Sequence, residues 1–186
     1  MPLKADATEA QEDLQKKTDE ISNNFSRTTT TNYLTTTMIL KKNNIAEYIL
    51  HLWQIEDYLR AFPQQAEASE ELQDLYNMML QENIIDGGHL QLAKNAMAEL
   101  EDLHDDILQQ EATYRAALLR LTPALNLLKA KTNNPTMSDI EACLILLYQV
   151  MMLHLQQREV SAETADIQKQ ATQVLQYLSK TYREQE

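Results

Sequence analysis

The chain has 186 residues, a net charge of −12 at pH 7, two glycines and four prolines. Sheet-rich proteins need many turn residues, so this composition favours helices in a single domain with a sizeable core. Because Lys and Arg never cluster beyond two adjacent residues, nucleic acids and anionic membranes are disfavoured as partners.

Residues 1–37 differ in composition from the rest of the chain. They carry only a weak helical stripe, and residues 28–37 include seven threonines, which are mediocre helix formers. We expect a polar, Thr-rich extension that is mobile or weakly helical; the alternative is a helical arm that docks on a partner. Met38 opens the first strongly patterned segment and is a possible start codon, so we expect one helical-bundle domain over 38–184.

Three amphipathic helices are predicted first, over about 39–62, 69–83 and 89–109. The first has apolar residues at spacings of three and four and ends at Pro63, because proline cannot continue a helix. Ser69 is a candidate N-cap for the second, and Asp86-Gly87-Gly88 marks a turn before the third.

The remaining pattern predicts a helix over about 112–131, another over about 138–157 and a last one after Ser161. Pro123 should kink the first of these or divide it into two short helices. From Ile140 to Leu155, 13 of 16 residues are apolar, which is typical of a helix in the middle of a bundle. The expected fold is therefore an all-α bundle of five to six helices around this central helix.

No sequence motif for a nucleotide, a zinc ion or a nucleophilic serine is present, so no cofactor is expected. The single cysteine, Cys143, cannot form an intrachain disulfide, and its apolar neighbours predict a structural, unreactive thiol. The 140–155 segment is too short and too polar for a membrane span, and the N-terminus has no apolar signal-peptide stretch. We therefore expect a cytoplasmic protein.

The histidines are the most informative polar residues. Helical wheels place His89, His104 and His154 on core-facing sides, whereas His51 lies on an outward stripe with other polar residues. A buried imidazole needs a hydrogen-bond partner, so most such histidines are structural. The alternative is a metal site, for which Glu101 and His104 have a suitable i, i+3 spacing. The pair occurs once, whereas di-metal bundles use two copies, so this candidate is weak.

Trp53, Glu56 and Arg60 form a second constellation on the flank of the first helix. An i, i+4 spacing predicts an ion pair between Glu56 and Arg60, and Glu56 lies closer to the core than a solvated acid should. The structural interpretation is a partly buried ion pair. The functional one is a ligand pocket with an indole wall and an arginine that binds an anion. Leu50 and Tyr58 fall on the outward face, which suggests that this helix is covered on more than one side.

The run from Asn44 to Arg60 resembles the opening of a bacterial family of small all-helical proteins, catalogued as domain-of-unknown-function family 4924. Further resemblances lie in the segment from Gly88 to Asn95, in the pair Leu103-His104 and in helix 140–155, so the resemblance covers about 38–184. It implies no assigned activity. The shared motifs imply a common polar core or pocket, whose candidate members are Trp53, Glu56, Arg60, His89, Asn95 and His104.

Three classes of function remain open at this point. The first is a helical interaction or scaffold module without catalytic activity, which binds a protein partner or self-associates. The second is a small-molecule- or metal-binding bundle, possibly an enzyme, that uses core-facing His and Glu residues. The third is an acidic protein that mimics nucleic acid, and only its charge favours it.

Overall fold

The computed structural model describes residues 39–185, and those residues are helical with no β-strand. Residues 39–43 are helical, and six α-helices and one 3₁₀ helix follow: α1 Ile45–Ala61, the 3₁₀ helix Pro63–Ala68, α2 Glu70–Gln81, α3 Gln91–Gln110, α4 Ala112–Lys131, α5 Asp139–Leu155 and α6 Ala162–Gln185. The all-α prediction is confirmed. The predicted count of five to six helices is too low, because two short helical pieces add to the six longer ones. Predictions for residues 1–37 lie outside the described residues.

Side-chain caps fix where several helices begin. The side chain of Asn44 accepts a hydrogen bond from the backbone N–H of Glu47, so α1 starts at Ile45 and not at the predicted residue 39. Ser69 and Ser138 cap α2 and α5 in the same way, and Ser161 accepts a bond from the N–H of Thr164. These three caps were predicted from the sequence.

Pro123 lies inside one continuous helix, α4. The alternative of two short helices is therefore wrong. Proline cannot bond the carbonyl four residues earlier, but Pro123 is on the exposed side of α4. Water can bond that carbonyl there, so the helix continues.

The core has two parts. The larger lies among α1, α3, α4, α5 and α6, and the smaller lies between α1, α2, the 3₁₀ helix and the loop before α3. α1 is the more deeply embedded helix, since it buries nine of its 17 residues, whereas α5 buries five of its 17. Only the first half of α5 is central: four of those five residues lie between Ile140 and Leu144, and Leu155 is 66% exposed. α1 contacts α2, α3, α5, α6 and the 3₁₀ helix.

Candidate functional site

Glu56 is the most deeply buried ionisable side chain of the cluster on α1, with no exposed surface. One carboxylate oxygen accepts a hydrogen bond of 2.9 Å from the backbone N–H of Leu90, and the other lies 2.7 Å from Nδ1 of His89. A buried charge is tolerated only when such partners replace its water. The predicted deep position of Glu56 is thus observed, and its main partners come from the loop before α3.

His89 joins this carboxylate to an aromatic wall. Its ring stacks on the indole of Trp53, with centroids 4.5 Å apart and an angle of 21° between the planes. Because a carboxylate only accepts hydrogen bonds, Nδ1 of His89 is the donor in this contact. The His89 side chain remains 39% exposed, so the predicted core-facing position is only partly correct.

Arg60 ties the same loop to α1. Its guanidinium donates to the carbonyl oxygens of Ile84 and Gly88 and to Asp57, the last at 2.9 Å. The predicted ion pair with Glu56 is present but long, at 3.9 Å. Arg60 therefore holds protein carbonyls, and its donors are engaged within the chain.

The cluster also completes the start of α3. Leu90 is the N-cap residue of α3 and offers no side-chain acceptor, and the first N–H groups of a helix have no partner inside it. Glu56 accepts from the N–H of Leu90, and Glu82 accepts from that of Gln91 at 2.7 Å. Two carboxylates from outside α3 therefore replace its missing cap, and the positive end of the helix dipole favours them.

The other predicted pocket residues lie elsewhere. His104 is buried and its Nδ1 lies 2.7 Å from the hydroxyl of Tyr114; burial lowers the pKa of His104 and raises that of Tyr114. Asn95 is exposed and accepts a bond from Gln91. Glu101 accepts a bond of 2.5 Å from Ser138. Within residues 39–185 no three His, Cys, Asp or Glu side chains are placed to hold a metal ion together.

Two histidine predictions need correction. His154 is exposed and does not face the core, because the last residues of α5 lie at the surface. His51 is half-buried, and burial lowers its pKa, whereas the wheel placed it outward. The thiol of Cys143 is fully buried, as predicted, and burial raises its pKa to about 12.

An apolar groove lies between α1 and the C-terminal half of α5. It has a volume of about 610 Å³, which is within the usual range for ligand-sized clefts. We call it the α1–α5 groove; its lining residues are His51, Gln54, Ile55, Asp57, Tyr58, Ala61, Tyr148, Met152 and Leu155.

We call Trp53, Glu56, Arg60 and His89 the polar cluster. Two side chains that line the groove, Asp57 and Tyr148, also contact this cluster. The hydroxyl of Tyr148 donates to Asp57 at 2.5 Å, and its ring packs edge-on against Trp53 with centroids 5.7 Å apart. Asp57 also accepts from Arg60. The cluster therefore fixes one wall of the groove, and the sequence analysis missed this because Asp57 and Tyr148 are 91 positions apart.

Fold and site together define a single-chain all-helical bundle with a polar cluster beside an apolar groove. The chain belongs to the family described as Domain of unknown function (DUF4924), whose model matches residues 35–71 and 63–186. This confirms the resemblance seen in the sequence. No curated protein and no solved structure gives a significant match. No helix of residues 39–185 combines the length and apolar character that crossing a membrane requires.

Proposed function

We propose that this protein is a non-catalytic helical interaction module that binds another protein, or a second copy of itself, at the α1–α5 groove. The carrying observation is the C-terminal end of α5, where Leu155 is 66% exposed and Met152 is half-buried. Its side chains Met152 and Leu155 contribute to a groove and not to the core. Apolar clefts of this kind on a surface with a high net charge are typical of binding sites.

The geometry of the polar cluster supports this proposal over catalysis. Arg60 and Glu56 have their polar atoms engaged by the loop before α3. Trp53 is buried under the His89 ring. The cluster therefore holds the loop before α3 against α1 and fixes one wall of the groove. The net charge of −12 supports a protein as partner in preference to nucleic acid or an anionic membrane.

Matched leucine variants test the proposal. Leu155 in the groove and Leu119 on α4 are 66% and 70% exposed, so Leu155→Glu and Leu119→Glu make equal changes at two surfaces. Native mass spectrometry and affinity capture are carried out on the wild type and both variants. We expect association that Leu155→Glu abolishes and Leu119→Glu preserves. A wild-type monomer without a partner, or equal behaviour of the two variants, would refute the proposal.

The alternative function is binding of a small molecule or metal by core-facing His and Glu residues. One observation favours it: the buried carboxylate of Glu56 orients the imidazole of His89 through Nδ1, and the His89 side chain is 39% exposed. A stoichiometric mass excess in the native spectrum, lost in His89→Gln, would support this alternative.

A further inference from the structure

The α1–α5 groove and a second, smaller hollow together form a longer surface on α1, which we call the α1–α5 surface. The smaller hollow has a volume of about 230 Å³, and the contact of 2.8 Å between the Gln54 amide and the Met151 sulfur lies between the two helices near both hollows. The two hollows are lined by nine residues of α1 and its N-cap, which together occupy about one half of the helix surface: Asn44, Ala46, Glu47, Leu50, His51, Gln54, Ile55, Asp57, Tyr58 and Ala61.

The smaller hollow is also lined by Gln168, Thr172, Leu175 and Gln176 of α6, whereas α5 contributes to both hollows. Leu147, Tyr148, Met151, Met152 and Leu155 of α5 line the two hollows, and these positions fall on one side of a helix. The α1 stripe from Asn44 to Ala61 is about 25 Å long at the rise of an α-helix. The α5 stripe from Leu147 to Leu155 is shorter, about 12 Å at the same rise. A partner helix that lies along the α1 stripe and contacts α5 over about two turns matches the helix-in-groove mode of recognition.

The charge of this surface selects the kind of helix. Glu47 and Asp57 are the acids that line the two hollows, and neither hollow is lined by Lys or Arg. Asp57 already pairs with Arg60, so Glu47 is the acid that a cationic flank would meet. The whole chain adds a net charge of −12, which opposes the approach of a second copy and attracts a cation.

We propose that the α1–α5 surface docks an amphipathic helix from a partner protein, with an apolar stripe about 17 residues long and Lys or Arg along its flanks. This inference depends on the proposed function and narrows it: the partner is basic and helical, and is not a second copy of the chain. Met151 and Met152, which are flexible and polarisable, suit such a surface because they adapt to different apolar side chains.

Two synthetic amphipathic peptides of about 17 residues test the inference on the full chain. They share one leucine stripe and differ only in whether Lys or Glu flanks it. Fluorescence anisotropy should show that the Lys peptide binds at least about tenfold more tightly than the Glu peptide. Binding should weaken as salt shortens the screening length.

Uncharged variants separate docking from unspecific attraction. Leu155→Gln should weaken binding of the Lys peptide about tenfold, whereas Leu119→Gln should leave it unchanged, since neither alters the net charge. Equal binding of both peptides, no binding, or equal effects of the two variants would overturn the inference. So would a dimer that Leu155→Glu dissociates and the Lys peptide does not. That last result would keep the proposed interaction function and assign the surface to a second copy.

Discussion

Removing the carboxylate of Glu56 should destabilise the protein more than removing any exposed acid. Glu56→Ala leaves the N–H of Leu90 and Nδ1 of His89 without their acceptor. It also removes the long ion pair with Arg60. A hydrogen bond to a charged group contributes about 1.5–3 kcal/mol, and Glu56→Ala removes two of them, so we expect a loss of about 3–6 kcal/mol. This range is a large part of the 5–15 kcal/mol that stabilises a typical domain.

A conservative variant separates charge from hydrogen bonding. In Glu56→Gln, the amide oxygen still accepts from Leu90, but the amide N–H₂ cannot accept from Nδ1 of His89. The imidazole is 39% exposed, so it can change tautomer or turn towards water. We therefore expect a loss of about 1.5–3 kcal/mol, the size of one hydrogen bond to a charged group.

Urea unfolding followed by circular dichroism measures both losses as changes in the midpoint at constant slope. Glu67→Ala is the matched control, because Glu67 is exposed on the 3₁₀ helix and should change stability by less than about 0.5 kcal/mol. A loss below about 1 kcal/mol for Glu56→Ala would refute the reasoning. It would mean that Glu56 does not hold the loop to α1.

Three further predictions concern buried groups. Burial lowers the pKa of His104, so the unfolded chain binds the proton first, and stability should fall as pH drops below about 6.5; His104→Gln should flatten this part of a urea-midpoint profile against pH. Cys143, with a pKa raised to about 12, should resist a thiol reagent at pH 8 in the native protein and react rapidly in urea, and rapid native reaction would contradict its burial. Tyr148→Phe removes the bond to Asp57 and should cost about 0.5–1.5 kcal/mol by urea unfolding, with an unchanged midpoint arguing that this bond does not hold the groove wall.

Local sequence signals predicted the helices well because each signal acts over a few residues. Ser69 and Ser138 were identified as caps, and each cap bonds an N–H three positions later. The position of Glu56 near the core also followed from a wheel, since the wheel needs only the period of α1. The wheel could not predict the hydrogen-bond partners of Glu56, because His89 and Leu90 lie 33 and 34 positions further along the chain, beyond the 3₁₀ helix and α2.

The error at α5 has a different cause. A high apolar content shows that a helix is covered on several sides, but it does not show whether the cover comes from the same chain. The first half of α5 is covered by the bundle, whereas the second half is covered only in part: Val150 is buried, but His154 and Leu155 are exposed. The expectation for His154 failed because the wheel assumed one core along the entire helix.

The polar cluster and the α1–α5 groove are connected through Asp57. Variants on either side of Asp57 should separate the effect of the cluster on stability from the effect of the groove on peptide binding. Asp57 accepts hydrogen bonds from Arg60 and from Tyr148. The polar cluster that holds the loop before α3 is therefore connected to the groove wall. Glu56 lies on the loop side of this connection and Leu155 on the groove side. Glu56→Gln should therefore lower stability while peptide binding persists in the folded protein, whereas Leu155→Gln should weaken binding without lowering stability. If both variants changed both properties equally, the cluster and the groove would form one site, and the ligand-binding alternative at Glu56 and His89 would gain support.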